Sequence, residues 1–258
     1  MAIPKIIHYC WFGTKDIPDK ELECISSWSK FMPEYKIIKW DESNFDINCC
    51  KYVKQAYERK KYAFVSDYAR MFALYEYGGV YFDTDVEVLG SIDPFLLTTV
   101  FLGFENRTHV GTAIMGFEPK NFIVKEMLDF YNIIDFVDKD GNENITTNVT
   151  ILNNILQKYG LEQENKEQNL INDVKIYNRD VFFPKEISEG NYRITDKTVT
   201  IHKMHATWLT DRQRKRGKNK IWINVFRPIL KYLRSFLLLL FKENKVSKLE
   251  IFVRNLLK

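Results

Sequence analysis

Cysteine is scarce in this chain of 258 residues, and its four copies follow no metal or disulfide pattern. Cys10, Cys24, Cys49 and Cys50 form no C-x-x-C pair, the spacing that is typical of zinc sites and redox-active proteins. Dense disulfide frameworks belong to small secreted domains in oxidising compartments. We therefore interpret the four thiols as reduced side chains of a cytosolic protein.

An apolar leader and an internal repeat are also missing. The first residues, Met1 to Lys5, lack the apolar core of a signal peptide or anchor, so we expect the main part of the chain to be cytoplasmic. We find no internal repeat along the sequence.

Charge is unevenly distributed along the chain. Residues 212–258 contain 14 Lys and Arg against two Glu, whereas the other 211 residues contain 24 basic and 32 acidic side chains. The chain therefore has an acidic body, long enough to bury a sizeable core, and a basic tail. We predict one domain at residues 1–211 and a C-terminal appendage at residues 212–258.

The tail has the pattern of an amphipathic helix. Between Ile221 and Phe241 the chain is strongly apolar, and its charged residues are Arg227, Lys231 and Arg234, whose spacing puts them on one helical stripe. Three charges make a membrane-spanning helix costly, whereas a helix lying on an anionic membrane uses them. The alternative is packing on the core or on a second subunit. Nucleic acid is disfavoured because the basic residues alternate with long aliphatic side chains rather than stacking aromatics.

The order of predicted elements indicates a parallel sheet flanked by helices. Strands are predicted at residues 3–13, 35–40, 80–82, 101–105, 112–117, 174–177 and 181–184, and helices at residues 19–31, 51–61 and 63–77. This alternation is typical of an α/β domain that binds its ligand where the strands end. Trp11, at the end of the first strand, is therefore expected near a ligand site.

The most informative stretch is residues 63–85. A run of helix formers precedes Gly78 and Gly79, which allow positive φ, and a short β-branched and aromatic strand follows. Asp67 and Arg70 are three residues apart and so share one side of the helix. We therefore predict a helix that ends at the glycines and a strand that starts there.

Two acidic residues directly follow this strand. If the chain stays extended, Asp83 and Asp85 point to the same side. Two carboxylates held close together repel unless a cation or a proton lies between them, and such oxygen ligands suit Mg²⁺ or Mn²⁺. Imidazole can complete a carboxylate site, so His202 is our candidate third ligand. The alternative interpretation is a solvated turn without a metal.

Three sequence blocks resemble glycosyltransferase family 32, whose members are DXD-containing sugar transferases. The blocks are residues 3–11, residues 66–70 with 78–85, and residues 201–202 with 207–208, while Lys203 and His205 depart from the commoner family pattern. The family includes bacterial capsular polysaccharide transferases and fungal mannosyltransferases, and it is similar to the glucosylating domains of large clostridial toxins. The resemblance covers about residues 1–210. It implies a single catalytic domain with the Rossmann-like GT-A fold, and retaining transfer from a nucleoside diphosphate sugar with Mn²⁺ or Mg²⁺.

The resemblance also implies a role for each matching residue. The implied donor-binding residues are Trp11, Asp67, Arg70, Tyr81, Asp83, Thr207 and Trp208. Asp85 would bind the metal directly and Asp83 through water, with His202 or His205 as the further ligand. Asp83, Asp85 and Arg70 are the implied catalytic residues.

The sequence therefore predicts a retaining glycosyltransferase attached peripherally to the inner face of the cell membrane. A UDP-sugar is favoured over a GDP-sugar as donor, and the predicted acceptor is a lipid-linked glycan of surface or capsular polysaccharide synthesis. The resemblance implies front-face transfer, in which the leaving phosphate helps to deprotonate the acceptor. Two alternatives remain open: a metal-dependent sugar-phosphate transferase or phosphohydrolase that uses Asp83 and Asp85, and a non-catalytic nucleotide-binding membrane scaffold.

Overall fold

Residues 3–188, 191–205, 219 and 225–240 are described by a computed structural model of the chain. The chain divides into two compact units, Met1–His205 and Ala206–Lys258. Residue 211, the predicted domain boundary, lies outside the described residues, so that boundary stays a prediction.

Helices and strands alternate through the first half of the first unit. Its helices are α1 (Asp19–Phe31), α2 (Lys51–Glu58), α3 (Tyr62–Tyr77), α4 (Phe122–Ile133), α5 (Asn148–Lys158) and α6 (Arg179–Phe182). Its strands are β1 (Ile6–Cys10), β2 (Lys36–Trp40), β3 (Gly79–Phe82), β4 (Val86–Val88), β5 (Val100–Gly103), β6 (Ile114–Phe117), β7 (Gln168–Leu170), β8 (Val174–Tyr177), β9 (Glu186–Ser188), β10 (Asn191–Tyr192) and β11 (Thr200–His202). Short 3₁₀ turns lie at Asp93–Leu97 and Ile171–Asp173.

Seven of the described strands form one sheet in the order β2-β1-β3-β6-β5-β8-β7. Strand β1 runs parallel to β2 and β3, as the alternation of elements predicts, whereas β6 is antiparallel to β3 and β5. Strand β4 leaves this sheet and pairs with β11. The predicted α/β class is therefore confirmed, with a mixed rather than wholly parallel sheet.

Strand β3 is buried on both of its faces. Tyr81 packs in one apolar cluster, with side chains of α3, α4 and α5, while Val80 and Phe82 pack in a second cluster with Trp28 of α1. All four residues of β3 are buried, which explains why the strand is a continuous apolar run. The helices on both faces thus fix the position at which the acidic residues emerge.

Helix α3 ends at Gly78, as the sequence predicts. Gly78 and Gly79 have φ values of 61° and 102°, and a Cβ at Gly79 would lie 2.6 Å from the Ile6 carbonyl oxygen, so the close turn requires glycine. The His8 Nε2 donates to the Gly78 carbonyl at 2.8 Å, while the His8 Nδ1 accepts from the Trp40 indole at 3.1 Å. Burial lowers the pKa of His8 to about 4, so a neutral imidazole holds this turn.

One condition on the local structure is not met, and one predicted strand is wrong. The chain turns between Asp83 and Asp85 instead of staying extended, because the Val86 N–H donates to the Asp83 carbonyl at 3.0 Å as β4 departs toward β11. Residues 181–184, predicted as a strand, lie partly in α6, whose first turn is capped by the side chain of Asn178. At residues 181–184 the Asn178 cap favours the helix over a strand. After Asp83 the pairing of β4 with β11 determines the course of the chain.

In the second unit, helix α7 (Arg227–Leu240) occupies the centre of the apolar run, so the predicted helix is confirmed over these residues. Seven apolar side chains on this helix or just before it are exposed: Val225, Phe226, Ile229, Leu230, Tyr232, Leu233 and Phe236. Throughout the described ranges, every helix falls short of the length and hydropathy that crossing a membrane demands.

Candidate active site

Arg70 is a buried cation that joins α3 to the acidic turn. Its side chain is 8% exposed, and Nη2 lies 3.2 Å from Asp67 Oδ1 while Nη1 lies 3.2 Å from Asp83 Oδ1. Nη1 also donates to the Thr112 carbonyl at 3.0 Å. The guanidinium lies over the Tyr81 ring at 4.4 Å, a favourable cation–π distance. The predicted common side of Asp67 and Arg70 is confirmed, and it faces the acidic turn.

The charges around Arg70 stabilise one another. Burial disfavours the guanidinium, but Asp83, Tyr81 and Asp67 raise the pKa of Arg70 well above its usual value. Burial raises the pKa of Asp67 to about 6, against the lowering effect of Arg70. The Tyr81 hydroxyl donates to Asp83 Oδ1 at 3.0 Å. One fork-shaped cation thus fixes the orientation of two carboxylates.

Asn148 supports Asp67 from the first position of α5. Its Nδ2 donates to the Asp67 carbonyl at 3.2 Å, and hydrogen bonds from Asn148 lower the pKa of the Asp67 carboxyl against burial. Its Oδ1 accepts from the Tyr131 hydroxyl at 3.0 Å. Sequence reasoning missed this role, because Asn148 and Asp67 are 81 residues apart in the chain and no local pattern relates them.

Asp85 has a different set of neighbours. His202 Nε2 lies 3.2 Å from Asp85 Oδ1, and the backbone N–H of His205 donates to Oδ2 at 2.8 Å. Burial raises the pKa of Asp85, but its bonds to His202 and His205 hold the pKa below the usual value. For His202, burial lowers the pKa and Asp85 raises it above the usual value. Asp85 is thus bound by groups that carry no permanent charge.

Asp83, Asp85 and His202 form a group that fits a divalent cation. Each residue offers a ligand atom, and these atoms all lie within 4.8 Å of one another. His202 faces Asp85 with its Nε2, 3.2 Å from Asp85 Oδ1, while its buried Nδ1 has no hydrogen-bond partner among the described residues. Three carboxylates, those of Asp67, Asp83 and Asp85, lie here with the single guanidinium of Arg70, which leaves excess negative charge. Carboxylates with imidazole suit Mn²⁺ or Mg²⁺.

Three other residues are implied in donor binding: Trp11, Thr207 and Trp208. Trp11 follows β1, is half-buried, and donates its indole N–H to the Lys15 carbonyl at 2.7 Å. It adjoins Cys10, whose thiol pKa is raised to about 12 by burial while the nearby Arg70 cation lowers it. Thr207 and Trp208 lie outside the described residues, so their roles stay predictions.

His202, rather than His205, lies beside both aspartates. The His205 Nδ1 lies 3.0 Å from Oε1 of Glu21, a carboxylate that sequence reasoning missed. Glu21 is buried on the same face of α1 as Cys24 and Trp28. An acidic residue in phase with an apolar helical stripe is a signal that could have identified it.

Two further carboxylates lie near this turn. Glu105, in the loop after β5, is half-buried, and burial raises its pKa, as does the negative charge of Asp83, while His202 lowers it. Glu87 of β4 pairs with Lys203 at 2.6 Å. Glu105 therefore adds negative charge near the proposed cation site, whereas Glu87 ties β4 to the segment after β11.

Fold and site together define an α/β protein with an acidic candidate cation site at the end of a central strand. Residues 18–102 match the model of a family described as glycosyltransferase sugar-binding region containing DXD motif. This segment runs from the start of α1 into β5 and includes Asp83 and Asp85. The recognition of a DXD-type sugar transferase region is therefore confirmed.

Fungal mannosyltransferases are among the relatives of this chain. It is 32% identical over 120 residues to inositol phosphoceramide mannosyltransferase 3 of Schizosaccharomyces pombe, covering 45% of this chain and 33% of that protein. It is 34% identical over 130 residues to mannosyl phosphorylinositol ceramide synthase SUR1 of Saccharomyces cerevisiae, covering 48% and 34%. The chain thus spans about a third of the length of these curated relatives.

Two solved structures show a weaker likeness. PaToxG glycosyltransferase has a TM-score of 0.48 at 18% identity, covering 61% of this chain and 70% of that chain. The galactosyltransferase LgtC in complex with donor and acceptor sugar analogs has a TM-score of 0.40 at 15% identity, covering 78% and 87%. Because both scores are below 0.5, the interpretation of the site depends on its own geometry and on the family match.

Proposed function

We propose that this protein is a retaining glycosyltransferase of the GT-A kind. It moves a hexose or hexosamine from a nucleoside diphosphate sugar to a lipid-linked acceptor. The observation that carries this proposal is the grouping of Asp83, Asp85 and His202, with ligand atoms within 4.8 Å of one another, beside the buried Arg70. The family match over residues 18–102 supports the reaction class.

Asp83, Asp85 and His202 would hold Mn²⁺ or Mg²⁺ in this enzyme. When bound, the cation supplies positive charge for the diphosphate that leaves the sugar. The chain's own residues orient the donor around it. Arg70 keeps the Asp67 and Asp83 carboxylates in fixed directions through its two 3.2 Å contacts, which positions them to accept hydrogen bonds from sugar and ribose hydroxyls.

The other donor contacts follow from the family resemblance. Tyr81 flanks the donor, Trp11 stacks on the nucleobase, and Trp208 lies over the diphosphate, with Thr207 as a further donor-binding residue. A buried ring such as Tyr81, 1% exposed, loses little entropy on binding and so keeps its position. These roles are part of the proposal.

The acceptor class is proposed from the relatives. Their names describe mannosyl transfer to inositol phosphoceramide, so a lipid-linked acceptor is the form we expect for this chain. The sequence predicts a UDP-sugar as donor and a role in surface or capsular polysaccharide synthesis, and both remain part of this proposal. A donor panel must therefore contain both UDP- and GDP-sugars.

Donor cleavage tests the reaction class. We expect the protein to hydrolyse at least one UDP- or GDP-sugar slowly in the presence of Mn²⁺, and chelation with EDTA to stop the reaction. If circular dichroism shows an intact fold and no donor in the panel is cleaved, the proposal is wrong. Release of inorganic phosphate without free sugar would instead support the phosphohydrolase alternative.

We also propose that residues 212–258 attach the enzyme to the anionic inner surface of a membrane. This segment contains 14 basic and two acidic side chains, and apolar side chains of α7 such as Leu230 and Phe236 are exposed. Each basic group near an anionic surface contributes about 1 kcal/mol. Charge and apolar surface together favour peripheral attachment.

Vesicle flotation tests this attachment. A variant with glutamate at Arg227, Lys231 and Arg234 should lose binding to vesicles that contain phosphatidylserine, while the wild-type chain floats with them. The matched control has the same change at three exposed lysines of the first unit, Lys20, Lys30 and Lys54. If all three proteins stay equally in the soluble fraction, the membrane proposal fails.

A further inference from the structure

Glu21 is a buried carboxylate in the first turn of α1, with 2% of its surface exposed. It lies on the face of α1 that packs along β4, where the Trp28 indole donates to the Val86 carbonyl at 2.8 Å. A carboxylate in such surroundings costs several kcal/mol unless a partner compensates it. The identity of that partner therefore indicates what Glu21 does.

The partner is His205, which lies 184 residues later in the chain. Its Nδ1 is 3.0 Å from Glu21 Oε1, while its backbone N–H donates to Asp85 Oδ2 at 2.8 Å. The preceding residue, Met204, has a φ of 53°, an uncommon left-handed conformation for a non-glycine residue. Such conformations persist where the surroundings fix them, and here the contacts of His205 do so.

These contacts divide the two oxygens of Asp85 between different groups. His202 lies 3.2 Å from Oδ1, and the His205 N–H holds Oδ2. The Lys203 N–H donates to the Asp85 backbone carbonyl at 2.9 Å. The carboxylate therefore has a fixed rotation about its side-chain bonds. Groups that orient a ligand in this way typically change metal affinity 10–100-fold when they are removed.

We propose that Glu21 is a positioning residue of the cation site. It holds the ring of His205, and thereby keeps the His205 backbone N–H on Asp85 and the Asp85 carboxylate in the direction required for a divalent cation. This inference rests on the proposed function, because it concerns the cation that Asp83, Asp85 and His202 would bind. It also assigns His205 to orientation rather than to ligation.

Calorimetric titration with Mn²⁺ alone tests the proposal without any sugar donor. In Glu21→Met an apolar side chain of similar size replaces the carboxylate, a change that often leaves stability unaffected or raises it. We expect the Mn²⁺ affinity to fall about 10–100-fold, with no decrease in the thermal midpoint. Glu21→Gln keeps an oxygen that can accept from the imidazole, so its affinity should stay near that of the wild type.

His205→Ala and the double variant complete the test. Because Glu21 acts through His205, we expect Glu21→Met, His205→Ala and the double variant to lose affinity by similar factors. Glu23→Met is the matched control, since Glu23 is exposed on the same helix. Unchanged affinity in Glu21→Met, additive losses, or a thermal midpoint that falls with the affinity would overturn the proposal. If the wild-type chain fails to bind Mn²⁺, the metal-dependent function itself is contradicted, together with this inference.

Discussion

Asp83 and Asp85 are separated by one residue, yet their surroundings differ in kind. Asp83 contacts Arg70 at 3.2 Å and the Tyr81 hydroxyl at 3.0 Å, which we term the Arg70 side. Asp85 contacts the His202 imidazole and a backbone N–H, which we term the histidine side. Arg70 is a permanent cation, whereas an imidazole can exchange a proton for a metal. The difference indicates that Arg70 compensates part of the negative charge of Asp83 within the protein, whereas Asp85 depends more on the cation that we propose for this site.

Removing the charge on the histidine side is expected to have the largest effect. Asp85→Asn keeps an oxygen that can accept from the His205 N–H but loses a charged ligand, so donor cleavage should fall about 10³-fold. A steady-state assay with Mn²⁺ and the cleaved donor measures the loss, and circular dichroism checks the fold. Unchanged donor cleavage in Asp85→Asn would remove the distinction between the two aspartates, and unchanged activity in cells would favour the scaffold alternative.

Removing the cation on the Arg70 side should lower stability as well as donor cleavage, because Arg70 holds the Asp67 and Asp83 carboxylates. Arg70→Met leaves Asp67 and Asp83 without their buried partner, so the free energy of unfolding should fall by about 3–5 kcal/mol. Arg70→Lys keeps the charge but lacks the fork, and a smaller decrease is expected. Urea unfolding measures both values. If Arg70→Met is as stable as the wild-type chain, the Arg70 side does not depend on charge compensation.

Acid should weaken the turn before β3. This turn supports both the Arg70 side and the histidine side of the site. The folded-state pKa of His8 is about 4, below the unfolded value of 6.5, so the stability from neutral His8 is present above pH 6.5. It is lost as the pH falls toward 4, by about 3 kcal/mol. Asp67, whose pKa is raised to about 6, has the opposite effect between pH 4 and 6.

Comparison with His8→Gln separates these two effects, because Gln can donate to Gly78 and accept from Trp40 but does not titrate. Urea unfolding of both proteins at pH 7.5 and pH 4.5 should show that the free energy of unfolding of the variant rises relative to that of the wild-type chain as the pH falls. Two parallel pH profiles would mean that His8 does not stay neutral in the folded protein.

The smallest change sharpens the comparison further. Tyr81→Phe removes the hydroxyl that donates to Asp83 and should reduce the free energy of unfolding by about 1 kcal/mol. Because Arg70 still contacts the same Asp83 oxygen at 3.2 Å, this carboxylate keeps its orientation, and the Mn²⁺ affinity measured by calorimetry should stay within about 3-fold of the wild-type value, less than the tenfold that 1.4 kcal/mol represents. A large loss of Mn²⁺ affinity would show that the two sides are coupled.

The two sides also differ in how far the sequence predicts them. Spacing along a single helix was enough to bring Asp67 and Arg70 together, and the two glycines correctly mark the end of α3. The choice between His202 and His205 could not be made from the sequence, because it depends on β11 pairing with β4. Glu21 and His205 are 184 residues apart in the chain, and the periodicity of a helix or strand cannot relate residues at that separation.

Thermal unfolding with a panel of UDP- and GDP-sugars, with and without Mn²⁺, tests most directly whether Asp83 and Asp85 form a cation-dependent donor site. Ligands that bind the folded state raise its midpoint by mass action. We predict that at least one donor raises the midpoint of the wild-type chain only when Mn²⁺ is present, and that Asp85→Asn shows no such increase. Stabilisation that is independent of Mn²⁺, or equal in Asp85→Asn, would contradict a donor site built on these two carboxylates.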